Sequence, residues 1–376
     1  MPRSHQRLFP FSLFALALAC SSPTEGTSPS QTPDFGVAYG RDPGLVVYSQ
    51  NVYVGTDVDA VLSAPPAELG ARVFAALGTF IATDWPARAG VIADAIGRSH
   101  ADLVALNEVT TLTVEGLEPA FPNLTVEFLP ILQAALTARG LNYQVAGIVA
   151  NTDANLTLGG PQIRLQDFDA VLVRTGVTVS NVVIANYQAR VPVSLGLLGD
   201  LTILRGRVQV DANVDGRLVR FVATHLEPIE TSPLLQASQA SELIGALAGS
   251  PIPVIVAGDL NSEARDPNPG APYAQFRAAG FLDAALTPGL KRPASINTCC
   301  YAPDLLTPTP TLTRRIDHIL TRADERRGGP EAVGARAFEL IGDEVSERTA
   351  SGLWPSDHAG VMMTFGWRAN GVFAGR

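Results

Sequence analysis

From residue 44 to residue 367 the chain repeats one device: a short run of Val, Ile, Leu and Ala that stops at an acid, an amide or an imidazole. VVYSQ runs into Asn51, LVAL into Asn107 and Glu108, and FVAT into His225. VIVAG runs into Asp259 and, two residues on, Asn261. Arg315-Ile316 leads into Asp317, and Ser356-Asp357-His358 precedes the last apolar run. Runs this short and β-branched suit strands buried on both faces or facing a second sheet. Strands are predicted at residues 45–53, 103–106, 169–174, 218–224, 254–257, 316–320 and 360–365. Helical spacing predicts helices at 65–82, 85–98, 126–139, 234–248 and 274–279. This is an α/β pattern, and no linker-like composition interrupts it, so one domain is expected over residues 44–370. No internal repeat of about 20–50 residues is visible, which disfavours a solenoid or propeller.

A chain of 376 residues, 46% hydrophobic, can bury a large core. Its 36 acidic against 27 basic residues give a net charge of −9, which argues against a protein held to nucleic acid mainly by bulk charge. Basic residues are Arg throughout except for Lys291. Ahead of the domain, Arg3 and Arg7 precede a short apolar stretch, residues 8–19, too short for a bilayer span of roughly 20 residues. Ala17-Leu18-Ala19-Cys20 resembles a bacterial lipoprotein signal, with Ala17 where Leu is usual. Residues 1–20 are therefore expected to be an export signal, either lipidated at Cys20 or simply secreted. The Ser/Thr/Pro-rich residues 21–43 are expected to be a flexible tether. Cys299 and Cys300 are adjacent, and two readings stay open, a vicinal bridge or two small packed residues. A soft-metal site is disfavoured for want of further Cys.

Any one polar residue at a strand end is explained by turn chemistry. The set is harder to explain that way, because strand ends gather at one edge of a sheet, where ligand crevices form. Glu108, Asp259 and Asp357 with the amides of Asn51 and Asn261 make an oxygen-rich nest suited to Mg²⁺, with Mn²⁺ or Ca²⁺ as alternatives. On an extended chain Asp259 and Asn261 are expected to face one way and address one ligand together. His318, as the neighbour of Asp317, is expected to face away from the site. Arg174 and Arg205 are candidates for a substrate phosphate, with surface ion pairing as the other explanation.

The stretches YSQNVYVGTD, DLVALNEV, FVATHLEP, VIVAGDLNSE, RRIDHIL and WPSDHAGV, in this order, resemble the motifs of the endonuclease/exonuclease/phosphatase superfamily over about residues 44–367. That superfamily includes deoxyribonuclease-I-like nucleases, abasic-site endonucleases, bacterial sphingomyelinases and inositol polyphosphate 5-phosphatases. The resemblance implies a four-layer α/β sandwich of two packed mixed sheets flanked by helices. It also implies metal positions at Asn51, Glu108 and Asp357, with Glu108 the principal ligand. By the same likeness Asp259 orients or deprotonates the attacking water, and Asn261 holds a phosphate oxygen. Asp317 orients His358, and His225 contacts phosphate or assists the leaving group. Two departures stand out, Asn107 where Gln is common and Ala223 where Asn is common before Thr-His. The residues after Asn261 lack the aromatic and Arg of the inositol polyphosphate branch, which disfavours that branch.

The expected activity is a metal-dependent, secreted or envelope-anchored phosphodiesterase acting by direct water attack. Its substrate would be DNA or RNA, a phospholipid headgroup or a small phosphodiester. No protein partner is evident, and a monomer is expected. The competing reading is a catalytically silent binding or adhesion module on the same fold. For a lipid substrate, residues 193–204 (VSLGLLGDLTIL) offer either an exposed apolar hairpin or a buried strand pair. The 57 residues from Asn51 to Glu108 exceed a βαβ unit of 30-odd residues, so an extra helix within 65–82 is expected to border the cleft.

Overall fold

A computed structural model describes residues 44–157, 160–194, 200–323, 332–369 and 372–373. The expected export signal with Cys20 and the expected tether lie outside the described residues.

The first apolar run forms β1 (Gly44–Asn51), buried along its whole length. Its side chains alternate between two cores. Val46 and Tyr48 enter one cluster, while Leu45 and Val47 enter another. The same alternation holds in β2 (Leu103–Glu115), with Val104 and Leu106 on one side and Leu103 and Ala105 on the other. Strands buried on both faces need cover on both, and the fold supplies it in four layers.

The larger sheet runs β14 (Ala332–Ile341), β15 (Gly360–Ala369), β1, β2, β5 (Gln162–Arg174), β4 (Tyr143–Thr157). The short β3 (Leu124–Glu127) and β16 (Val372–Phe373) join it at β2 and β15. The second sheet runs β12 (Leu282–Asp283), β13 (Asp317–Arg322), β11 (Val254–Asp259), β10 (Arg217–His225), β9 (Gly206–Val214), β6 (Thr178–Asn186). Both sheets are mixed: β1 lies parallel to β2 and β10 parallel to β11, while β1–β15 and β11–β13 are antiparallel.

Between the sheets, Val47, Ala105 and Val171 meet Val210, Phe221 and Ile255. The outer face of the larger sheet is covered by α2 (Leu69–Ala82), α3 (Trp85–Ser99) and α4 (Phe128–Thr137). The outer face of the second sheet is covered by α5 (Pro233–Leu247) and α6 (Pro272–Ala278). A one-turn helix, α1 (Asp59–Leu62), precedes α2. Among the described residues no helix is long and apolar enough to cross a membrane.

Several expected boundaries move. Residues 65–68 turn rather than joining α2, and 126–127 belong to β3 rather than to α4, because pairing with Thr111 and Leu112 of β2 holds them extended. The strands β4, β6, β9 and β14 go beyond those the sequence predicts; exposed positions break the apolar run in β4, and β6 is exposed along most of its length. Within 193–204, β7 (Val191–Ser194) pairs with β8 (Asp200–Ile203) as a separate two-stranded sheet. Leu201 is buried, and residues 195–199 lie outside the described residues.

Candidate active site

The site forms where β1, β2, β10, β11 and β13 meet. β2 does not stop at Leu106 as its sequence suggests. It bulges between Leu106 and Val109 and continues to Glu115. Glu108 sits in that bulge with φ of +60°, a conformation uncommon for a non-glycine residue that re-aims its carboxylate off the strand's alternation. Asn51 Nδ2 donates to Glu108 Oε1 at 2.7 Å and to Asp259 Oδ2 at 3.2 Å. The Val54 backbone amide donates to Glu108 Oε2 at 2.9 Å.

Asn107, beside Glu108, fastens the two sheets together. Its Nδ2 donates to Asp169 at 2.9 Å and to the Thr224 carbonyl at 3.2 Å, and its Oδ1 accepts from the Asp259 amide at 3.0 Å. A side chain added at Gly258 would overlap the Thr224 carbonyl, which is why the residue before Asp259 has none. β11 ends at Asp259, and Asn261 takes a φ of +49°. Asp259 and Asn261 therefore do not share a face through strand alternation. A turn carries Asn261 inward, held by its backbone amide donating to Asp259 Oδ1 at 2.7 Å and its Nδ2 donating to the Leu226 carbonyl at 2.9 Å.

His225 and His358 stand on either side of Asp259, 3.6 Å and 3.9 Å from its Oδ2. His358 Nδ1 pairs with Asp317 Oδ2 at 2.8 Å. Burial pulls against the charge on His358, but Asp317, Asp357 and Asp259 together hold its pKa well above the ordinary value. His225 goes the other way: burial, then the Arg205 cation and His358, keep it neutral. Arg205 Nη1 lies 2.9 Å from His225 Nδ1 and can only donate, so the His225 proton sits on Nε2, 3.6 Å from Asp259 Oδ2, while Asn261 Nδ2, 3.1 Å away, is itself a donor. Asp259 is pushed up to about 7, by burial first and Asp317 second, with His358 opposing. Asp357 is also pushed up to about 7 by burial, with His358 opposing and Glu108 adding.

The residues singled out from sequence thus gather in one place, with Arg174 the exception. It lies at the Leu103 end of β2, away from Glu108, and pairs with Asp102 at 2.7 Å. Antiparallel pairing of β5 with β2 sends the end of the Asp169–Arg174 run to the far edge of the sheet. Arg205 stays at the site but is committed to Glu227 at 3.0 Å and to His225. His318 faces away as alternation predicts, at 2.9 Å from the Ser262 carbonyl and tilted against the Tyr273 ring. Of the two readings of the Cys pair, the structure shows the bridge, Cys299–Cys300, with Cys300 Sγ 3.8 Å from His358 Nε2.

Three further residues to which the sequence reading assigns no role hold the site. Thr298 Oγ1 accepts from the amides of Ile316 and Asp317, both at 3.2 Å. Ser356 Oγ donates to the Asn51 carbonyl at 2.7 Å. Fully buried Arg88, on α3, donates to the carbonyls of Val52 at 2.7 Å, Thr83 at 2.7 Å and Pro355 at 3.0 Å. It ties the segment after Asn51 to the segment before Asp357. A signal for it exists: within α3 it falls on the buried stripe that includes Trp85, Ile92 and Ile96.

Glu108 and Asp259 share the Asn51 Nδ2, and the Glu108 charge adds to the burial that raises Asp357, so hard oxygen donors concentrate here; Asp259, Asp317 and His358 bring ligand atoms within 4.8 Å of one another. These acids fit a hard divalent cation, with Glu108 and Asp357 the residues that would hold it; Asn51, expected as a third ligand, turns its Nδ2 to Glu108 and its Oδ1 to the Tyr53 amide and so positions Glu108 instead.

Comparison with known proteins agrees with this geometry. The endonuclease/exonuclease/phosphatase family matches residues 49–358, an interval that opens just before Asn51 and closes on His358. A humanized TDP2 from D. rerio is similar in structure, with a TM-score of 0.52, 17% identity, and coverage of 86% of this chain and 99% of that one. A Bacteroides thetaiotaomicron mannosyl-6-phosphatase gives 0.51 at 17% identity, covering 85% and 98%. An endonuclease/exonuclease/phosphatase family protein from Leptotrichia buccalis gives 0.52 at 12% identity, covering 85% and 98%. At such identities the likeness is one of fold. Curated protein sequences return no match. With the family matched across most of its length and the two-sheet architecture shared, this chain belongs to the endonuclease/exonuclease/phosphatase family, a family of phosphoester hydrolases.

Proposed function

We propose that this chain is a divalent-cation-dependent phosphodiesterase, exported from a bacterial cell by its N-terminal signal and retained at the envelope through Cys20. The observation that carries the catalytic part is the convergence of Asn51, Glu108, Asp259, Asn261, His225 and the Asp317–His358 pair around one pocket.

Hydrolysis of a phosphate ester needs charge neutralised on the nonbridging oxygens, an aligned water, and proton movement at both ends. A bound Mg²⁺, Mn²⁺ or Ca²⁺ would supply Lewis-acid polarisation of the phosphate. The chain's own groups supply the rest. Asn51 fixes the Glu108 carboxylate through its amide. Asn261 Nδ2 and the protonated Nε2 of His225 are donors aimed at one volume, where they can take nonbridging oxygens. Asp317 fixes the ring of His358 through Nδ1, so that Nε2 faces the pocket. Asp259 holds the Asn261 turn and stands between the two imidazoles, within reach of a water bound there. The hydroxyls nearby are committed, Ser356 to the Asn51 carbonyl and Thr298 to the Ile316 and Asp317 amides, and Cys300 is bridged to Cys299, which favours direct attack by water.

The test is hydrolysis of bis(4-nitrophenyl) phosphate, plasmid DNA and a choline phospholipid by the purified chain, with Mg²⁺ and then with chelator. Turnover that needs the cation and falls by about 10²–10⁴ in His358→Ala is expected. Cation-independent turnover, or a fully active His358→Ala, would remove the proposal. Growing cells with labelled palmitate and comparing the parent with Cys20→Ala tests the anchor.

A further inference from the structure

A cavity of about 780 Å³ opens from the site, and Glu108, Asn261 and His358 are part of its lining. That volume lies within the range of about 300–1,000 Å³ typical of small-molecule sites. Beyond those three residues its character changes. One wall is helical, with Val61, Leu62, Leu77 and Phe80 of α1 and α2. The facing wall is Leu112, Leu156 and Leu165, on the parts of β2, β4 and β5 that run on past the Glu108 bulge. Leu201 and Ile203 of β8 close a third side. The cavity exists because α1 and α2 are inserted between β1 and α3, and because β2 does not end at its metal-site residue.

This geometry reads as a polar, phosphate-sized end joined to an apolar hold. The charged residues that also line it are largely acids, Asp59, Asp167, Glu227 and Glu230, and its two arginines are paired to them, Arg205 to Glu227 and Arg314 to Glu230. A nucleic-acid strand carries a phosphate at every residue and would bring its further charges against this acidic, apolar lining. A ligand with one phosphate and one hydrocarbon arm has the matching distribution. We infer that the substrate is an amphiphilic phosphate ester whose alkyl, acyl or isoprenoid arm lies in this cavity while its phosphate is held by Asn261, His225 and the Glu108 end. The inference deepens the phosphodiesterase reading and rests on it for the reaction.

Purified chain with Mg²⁺ is assayed on 4-nitrophenyl alkyl phosphate diesters from methyl to dodecyl, below their micelle concentrations. In each, water forms the new P–O bond, the P–O bond to the aryl oxygen breaks, and 4-nitrophenolate and the alkyl phosphate are released. Removing a methylene from water is favourable by about 0.8 kcal/mol, so kcat/KM is expected to rise about threefold to fourfold per methylene until the cavity is full. Binding of dodecyl phosphate and methyl phosphate is measured separately by calorimetry, with dodecyl phosphate expected to bind at least about 100-fold more tightly on the same constant.

Two half-buried wall positions test the location: Ala154→Trp fills the cavity from the sheet side, and Leu62→Asn makes its helical wall polar. The readout is the dodecyl-to-methyl ratio within each variant, so a general loss of activity cancels, and the ratio is expected to collapse toward one. A methyl ester that is cleaved as fast as the dodecyl ester overturns the inference and leaves the phosphodiesterase reading standing. No cleavage of any ester overturns that reading, and the alkyl phosphates then decide the cavity: tight dodecyl phosphate binding supports it, and equal binding overturns it. An undiminished ratio in both variants also overturns it.

Discussion

Replacing Arg88 by methionine keeps most of the side-chain volume but removes every hydrogen bond of a guanidinium that has no contact with solvent. Burial lowers its pKa to about 10, with nearby Asp357 opposing, so it is charged at neutral pH. It serves the carbonyls of Val52, Thr83 and Pro355 at 2.7–3.0 Å and reaches that of Tyr53 at 3.4 Å. Its cation also lies over the Trp85 ring, 4.9 Å from the centroid. A buried acceptor left without a donor costs about 1–3 kcal/mol. Three short bonds therefore give a gross cost of several kcal/mol, offset because the variant no longer buries a cation. A net destabilisation of about 3–5 kcal/mol is expected, which for a domain of this size lowers Tm by on the order of 10 °C. Because Val52 follows Asn51 and Pro355 precedes Ser356-Asp357-His358, kcat should fall by more than the unfolded fraction explains. Thermal unfolding followed by circular dichroism, with activity measured well below the transition, separates the two effects. A Tm within about 2 °C of the parent together with unchanged kcat would refute the reasoning that this cation clamps the two site segments.

Asp317→Asn should lower hydrolysis by about 10²–10⁴ without large destabilisation, since it leaves His358 in place but removes the acceptor that fixes its ring; pre-steady-state and steady-state rates on one ester check this. Glu108→Gln should weaken Mn²⁺ binding by at least about tenfold to a hundredfold, measured by calorimetry and hence independent of turnover. His318 is pulled down to about 4, by burial first and Arg315 second, against an ordinary value of 6.5. Between those values the unfolded chain binds a proton that the folded chain does not, so His318 contributes full stability above about pH 6.5 and loses it as pH falls toward 4. Urea unfolding should show the parent losing about 2 kcal/mol more than His318→Gln between pH 7 and pH 5; equal slopes would exclude this origin.

Much of the fold is legible along the chain because burial is written locally. In β1, β2, β10 and β11 each apolar run is covered on both faces, and this requires two cores, hence layers on both sides of each sheet. Residues were harder to read where the environment is one-sided or supplied from afar. β4 and β6 mix exposed positions into their sequences, and neither stands out from a loop until β5 and β9 pair with it. Arg174 shows the limit from the other side, since only the antiparallel pairing of β5 with β2 decides which edge of the sheet it occupies.

What the sequence determined by itself is the set of groups: which acids, amides and imidazoles exist, and that each follows a strand able to be buried. Period-two alternation even oriented His318 correctly, because that rule depends only on the neighbouring backbone. The tertiary structure alone decided the aim of Glu108 through a bulge, the turn that brings Asn261 inward, the charge states of His225 and His358, and the apolar cavity behind the site. Each of these depends on atoms far apart in the chain, since a carboxylate's field, a buried cation's partners and a cavity's walls are properties of what packs nearby in space.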